Sequence, residues 1–214
     1  MIILRVFLII LVLFILCEYY SPVKINIIKV LKPPIYNISI NRDNYIHKTF
    51  SKKYLKNNSK ILIFGCGLNT YSEILKKEGH TVVSLDIVDQ SISSTPVVLY
   101  NGSDIPSDIG LFDCVIISTV LHHINKSDHI HILESIKKIT KSIIVIEDKI
   151  QDYDFSYIKT SINCAISNFS FINRYYNFET KDNWLKLFNR LTTNKIEYQT
   201  DGMYELYFIK LSDK

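Results

Sequence analysis

From Ser59 onward, short apolar runs alternate with amphipathic stretches. That rhythm predicts stacked βαβ units around a parallel sheet. Lys60-Ile-Leu-Ile-Phe64 reads as a fully apolar strand that ends in Gly65-Cys66-Gly67. Asn69 to Lys77 puts Tyr71, Ile74 and Leu75 on one helical face and closes at Gly79. Thr81-Val-Val-Ser-Leu85 is a second strand ending at Asp86, Pro96 to Tyr100 a third, Phe112 to Ile117 a fourth and Ser142 to Ile146 a fifth. Between the last two, Ser127 to Ile139 is an amphipathic helix carrying Ile130, Leu133, Ile136 and Ile139. A further helix, Asn183 to Leu191, turns Trp184, Leu187 and Phe188 inward. Lys195 to Thr200 and Tyr204 to Leu211 flank Asp201-Gly202, which is a hairpin signal. The pattern predicts an α/β fold: a seven-stranded, mostly parallel sheet with helices on both faces and a C-terminal antiparallel hairpin.

The start of the chain has a different character. Residues 1–17 are apolar except for Arg5, and Glu18-Tyr19-Tyr20 follow. A membrane-spanning helix needs roughly 17–25 apolar residues, so residues 1–20 are expected to form a single N-terminal membrane helix, with Arg5 and the tyrosines at its ends. A signal peptide is the first rival, although Ile15-Leu16-Cys17-Glu18 is a poor small-residue cleavage site; a buried core helix is the other. Lys24, Lys29 and Lys32 after the span favour a cytoplasmic catalytic domain. The expected organisation is an anchor over 1–20, a connector and cap over 21–58, and one domain over 59–214. In the connector, Pro33-Pro34 is expected to break any helix, with a short helix over Tyr45 to Tyr54.

Composition narrows the partners. A net charge of +4 on 214 residues, with no dense Lys/Arg run, argues against nucleic acid as the main partner. Cys17, Cys66, Cys114 and Cys164 show neither a C-x-x-C pair nor metal-ligand spacing, so free thiols and no metal site are expected. The Asn-x-Ser/Thr matches, Asn101 among them, read as accidents of an Asn-rich chain.

The chemistry concentrates at strand ends. Gly65-Cys66-Gly67 lies between a strand and a helix, where glycines permit a sharp turn and let a ligand approach the main chain. Asp86, about twenty residues on, ends the next strand, where a carboxylate can accept both hydroxyls of a ribose. A dinucleotide fingerprint would place a third glycine at position 70, but the residue there is Thr70. A nucleoside without a pyrophosphate can do without that glycine.

His122 and His123 are candidates for a general base or for holding substrate. His129 and His131, two apart on a helix, face opposite ways. Glu147 and Asp148 close the fifth strand, where ligands of open sheets bind, and are tentative substrate contacts or helix caps. Tyr175, Tyr176, Phe178 and Trp184 read as core, with a wall for an aromatic substrate as the sharper alternative.

The segment Leu111-Phe112-Asp113-Cys-Val-Ile-Ile-Ser-Thr-Val-Leu121-His122-His123-Ile124 resembles the class I methyltransferase superfamily, with a likeness that extends over residues 60–211. The resemblance implies S-adenosylmethionine as cofactor and transfer of its methyl group to a small-molecule or lipid-like acceptor. It implies that Gly65, Cys66 and Gly67 line the methionyl part and that Asp86 takes the ribose hydroxyls. Ile87 would pack on adenine, Asp104 would reach its amino group with Ile105 alongside, and Ser118 or Thr119 would face the methionyl end. Two departures stand out: Ile63 holds the place of an acidic residue, and Asn69 that of a last glycine. They motivate an alternative, a decayed binding protein on the same fold. Oligomeric state is not legible.

Overall fold

The computed structural model describes residues 32–150 and 176–211, with four isolated positions besides (12, 158, 160 and 161). In chain order the elements are α1 (Lys32–Thr49), a 3-10 turn (Ser51–Tyr54), β1 (Lys60–Phe64), α2 (Thr70–Lys77), β2 (Thr81–Asp86), β3 (Val97–Leu99) and β4 (Cys114–Ser118). A second 3-10 turn (Leu121–His123), α3 (His129–Lys137), β5 (Ser142–Asp148), α4 (Lys181–Phe188), β6 (Glu197–Thr200) and β7 (Tyr204–Lys210) complete them. The seven strands form one sheet in the order β3-β2-β1-β4-β5-β7-β6. Strands β1 to β5 run parallel, while β7 is antiparallel to both β5 and β6.

Alternate residues of each central strand feed two cores. Leu62, Phe64, Val115, Ile117, Ile143 and Val145 face Leu133 and Ile136 of α3 and Trp184 and Phe188 of α4. Ile61, Ile63, Ile116, Ile144 and Ile146 face Ile46 of α1 and Tyr71, Ile74 and Leu75 of α2. Strands covered on both sides have no solvent face, which is why they read as unbroken apolar runs. The chain walks outward from β1 to β3 and then crosses back to β4 on the other side of β1. A crevice therefore opens above the carboxyl ends of β1 and β4, where the strand order reverses.

Three expectations about the N-terminal part are corrected. Pro33-Pro34 does not prevent a helix: both prolines fall in the first turn of α1, where backbone N–H groups have no intrahelical acceptor to lose. The helix expected over Tyr45–Tyr54 is instead the end of α1 followed by a 3-10 turn. The expected membrane helix and single-pass membrane location are not supported either. Among the described residues no helix is long and apolar enough to cross a membrane, and α1, although 18 residues long, carries Arg42, Asp43 and Lys48. Residues 1–20, on which that expectation rested, lie outside the described ones.

Strand β5 also runs two residues beyond its expected end. Pairing with β7 carries it through Glu147, opposite Glu205, and Asp148, opposite Tyr204. This extension carries Asp148 to the rim of the crevice and Glu147 to just beneath it. Phe188 is fully buried between Trp184 and Tyr207. Truncation to alanine (Phe188→Ala) is expected to cost about 3–5 kcal/mol of stability, read from urea unfolding curves.

Candidate active site

The turn after β1 needs its glycines for two different reasons. Gly65 has φ +68, and a Cβ there would sit 2.5 Å from Cγ2 of Val120, so the loop after β4 packs directly on bare backbone. Gly67 has φ +52, and a Cβ there would meet nothing within 4 Å. The first glycine is required for packing; the second leaves open ground above the turn. The N–H groups of Gly65 and Cys66 donate to the carbonyl of Leu85 at 2.8 and 3.1 Å, and that of Gly67 donates to Oδ2 of Asp86 at 2.7 Å. The other carboxylate oxygen of Asp86 accepts the N–H of Ile87 at 2.7 Å. The turn and the acid that closes β2 are thus at one end of the sheet and directly bonded. Burial first, then Asp86 and Asp89, push the Cys66 thiol well above its ordinary value, away from the thiolate form.

Asn69 accounts for one departure from the family pattern. It holds φ +62, a left-handed conformation that asparagine tolerates better than any branched residue. Its buried amide donates to the carbonyl of Thr95 at 3.0 Å and accepts the hydroxyl of Ser84 at 2.8 Å. The backbone course of a glycine is kept, and the side chain fastens the turn to β2 and to the loop before β3. Ile63 is simply a core residue, 3% exposed, on the α1/α2 side.

At the end of β4 the Ser118 hydroxyl is buried with no hydrogen-bond partner among the described residues. Thr119 has φ +53, a strained value for a β-branched residue, and is held there by its N–H donating to the carbonyl of Ile146 at 2.7 Å. Its hydroxyl donates back to the Ser118 carbonyl. With Val120 against Gly65, Ser118 and Thr119 border the glycine turn.

The two adjacent histidines part company. His122 is fully buried, its Nδ1 2.6 Å from Oε2 of Glu147, and Glu147 is itself 1% exposed. Oε1 of Glu147 accepts the N–H groups of Leu121 at 2.8 Å and Val120 at 3.1 Å. This carboxylate thus lies under the rim and braces the β4 loop. Burial alone would push the His122 imidazole down. Glu147, through charge and hydrogen bond, together with Asp148 at 3.9 Å, outweighs burial and holds it above its ordinary value.

His123 is exposed, its ring 4.2 Å from that of His122 and 5.4 Å from Tyr176. Asn177 pins the Tyr176–Phe178 segment alongside, its N–H donating to the His122 carbonyl at 2.7 Å and its amide to the Ile124 carbonyl at 2.9 Å. Tyr175 lies outside the described residues. His129 is buried, and Nε2 lies between two carbonyl oxygens, Leu121 at 2.8 Å and Ile124 at 3.1 Å, so it must be the protonated nitrogen. His131 faces out, 3.7 Å from Asp104.

On the other side of the crevice Ile87 is 58% exposed at the end of β2, and Asp104, in the stretch that follows β3, is exposed as well. Ile105 leans on the α3/α4 core. Tyr100, which the sequence reading passed over, stands beside Asp86; burial and that charge push its phenol up to about 12. Asp43 of α1 was also missed. It is buried and accepts the hydroxyl of Thr70, the first residue of α2, at 2.5 Å. Neither residue sits in a motif that would have marked it.

This architecture is the class I S-adenosylmethionine-dependent methyltransferase fold. Residues 62–143 match the family described as "Methyltransferase domain". It is similar to the magnesium protoporphyrin IX methyltransferase of Synechocystis PCC 6803, whose structure holds bound SAH, with a TM-score of 0.59, 11% identity and coverage of 81% of this chain and 84% of that one. It is similar also to a SAM-dependent methyltransferase from Archaeoglobus fulgidus, with a TM-score of 0.59, 13% identity and coverage of 78% and 92%. By sequence it is 30% identical over 109 residues to the ribosomal protein L11 methyltransferase of Thermotoga neapolitana, covering 45% of this chain and 39% of that protein.

The His122–Glu147 pair gives the fold a pH signature. Because the folded state holds His122 above its unfolded value of about 6.5, its contribution to stability is complete below that value and is lost as pH rises through the folded one. The wild type is expected to lose stability through that interval, and Glu147→Gln to flatten the loss. Urea unfolding measured from about pH 6 to about pH 9 checks this; parallel slopes for the two proteins would refute it.

Proposed function

We propose that this protein is an S-adenosylmethionine-dependent methyltransferase acting on a small-molecule acceptor. The observation that carries the reading is the Gly67–Asp86 contact beneath open ground, at the point where the strand order reverses. Asp86 is suited to the ribose hydroxyls: its carboxylate already lies at the mouth of the turn, and Oδ2, which takes the Gly67 N–H, has lone-pair capacity to spare, while Oδ1 takes the N–H groups of Ile87 and, more weakly, Val88. Exposed Ile87 offers a face for adenine, with Asp104 and Ile105 beyond it. Gly65, Cys66, Gly67 and the Ser118 hydroxyl, which has no partner among the described residues, line the methionyl side, with Thr119 setting the rim.

When bound, the cofactor supplies an electrophilic methyl group on a sulfonium, so the protein's task is orientation and, for a protonated acceptor, removal of one proton. His123, exposed where His122 is buried, is suited to that proton. Tyr176 and Phe178 pack beside His123 but are themselves buried, so they serve as core beneath it rather than as a face for an acceptor. Asp148 is a partly exposed carboxylate 3.9 Å from Nδ1 of His122. A lipid acceptor rested on the membrane helix and loses its motive with it.

The name of the Thermotoga relative raises a protein acceptor, but the chain spans only about two-fifths of that protein's length. The decayed alternative now rests on Ile63 alone, since Asn69 preserves the turn. Asp86→Ala is expected to weaken S-adenosylmethionine binding by about 1–3 kcal/mol in calorimetric titration, and labelled methyl from the cofactor should pass to a component of a small-molecule extract. An Asp86→Ala variant that binds as the wild type does would refute the site. Label entering only protein would replace the acceptor.

A further inference from the structure

Helix α1 precedes the matched domain segment, yet it sends two charges to the crevice. Asp43, Ile46 and Phe50 share its inward face; Ile46 and Phe50 pack in the same core as Ile63, and Asp43 lies one turn nearer the carboxyl ends of the strands. Oδ2 of Asp43 accepts the Thr70 hydroxyl, three residues past Gly67. Oδ1 accepts Nε and Nη2 of Arg42 at 3.0 and 2.8 Å. Arg42 reaches toward Tyr204 and Asp148, and these two with Asp43 are the charged or titratable groups that act on it.

The bonding capacity of the pair is not exhausted. Nη1 of Arg42 has no hydrogen-bond partner among the described residues, and the side chain is 37% exposed. Asp43 uses three of the roughly four acceptor positions of a carboxylate. Strand β1 places no charge near the turn, because Ile63 is apolar. A cation and an anion held side by side, each with a position to spare, complement a ligand that carries both charges on one carbon. The amino-acid end of S-adenosylmethionine is such a group.

We infer that Arg42 and Asp43 hold the amino-acid end of the cofactor, Arg42 taking its carboxylate and Asp43 its ammonium group. This rests on the methyltransferase reading and adds α1 to the site. The test compares two nucleosides that differ in that end alone, S-adenosylhomocysteine and 5′-methylthioadenosine, by calorimetric titration of the full chain. The wild type should bind S-adenosylhomocysteine the more tightly. Arg42→Gln and Asp43→Asn should each shrink that preference about tenfold or more while leaving methylthioadenosine affinity within about twofold.

Arg42→Gln changes a half-exposed side chain and serves if Asp43→Asn fails to fold, which thermal unfolding without ligand will reveal. An analogue of S-adenosylhomocysteine lacking only its amino group separates the roles: it should bind wild type and Asp43→Asn alike. Equal losses for both nucleosides, or an unchanged preference in Arg42→Gln, would overturn the inference and leave the enzyme reading intact. Failure of the wild type to bind either nucleoside would overturn the enzyme reading itself.

Discussion

The site depends on one hydrogen bond, from the Gly67 N–H to the Asp86 carboxylate. It joins the loop leaving β1 to the residue closing β2, two places nineteen residues apart that must meet if one small molecule is to touch both. The meeting is prepared by register. Phe64 lies beside Leu85 in the parallel ladder, so the next residue on each strand emerges at the same height. The Leu85 carbonyl then takes the first two N–H groups of the turn, and Asp86 takes the third available donor. A charged acceptor strengthens such a bond, and it holds the turn in the left-handed conformations that only glycine, or asparagine at 69, adopts easily.

The opposite wall is built at greater expense. Glu147 and Glu205 lie opposite each other on β5 and β7, both buried. Two buried carboxylates side by side would be untenable without partners. Glu147 receives two backbone N–H groups and His122; Glu205 receives the Tyr207 hydroxyl at 2.5 Å, and burial raises its own affinity for a proton. The return is rigidity where the chain is least regular. The β4 loop, with Thr119 at positive φ, is fastened from below by Glu147 and from the side by Ile146, while Val120 rests on Gly65. The two halves of the crevice are thereby set at a fixed spacing.

The strands, their order of occurrence and the closing hairpin were legible because period-two and unbroken apolar runs carry them directly. Strand order was not legible, since nothing in the run Pro96 to Tyr100 says that it lies at the edge. The glycine turn and Asp86 were legible from spacing. What escaped was anything set by tertiary partners. Asn69 looked like a defect because the sequence shows a missing glycine but not Ser84 and Thr95 waiting for an amide. The bond between Glu147 and His122 escaped because the extension of β5 that positions Glu147 depends on β7, some sixty residues later. Pro33-Pro34 looked like a break because position within a helix, not the residue itself, decides what a proline disrupts.

Helix α1 is the clearest case of function hidden from local pattern. The family match begins at residue 62, so nothing before β1 is marked by it. Yet Ile46 and Phe50 seal the core beneath α2, and the same face carries Asp43 to the start of that helix. A helix that covers apolar strands must lie along them, and the end that reaches the crevice will present whatever residue falls one turn before the covering pair. An acid at that position would be costly to bury unless met by donors. Thr70 and Arg42 provide them, one from the glycine-loop helix and one from α1 itself. The covering of the sheet and the charge at its rim are therefore consequences of one packing decision, and a core substitution at Ile46 would be felt in the crevice through the 2.5 Å contact to Thr70.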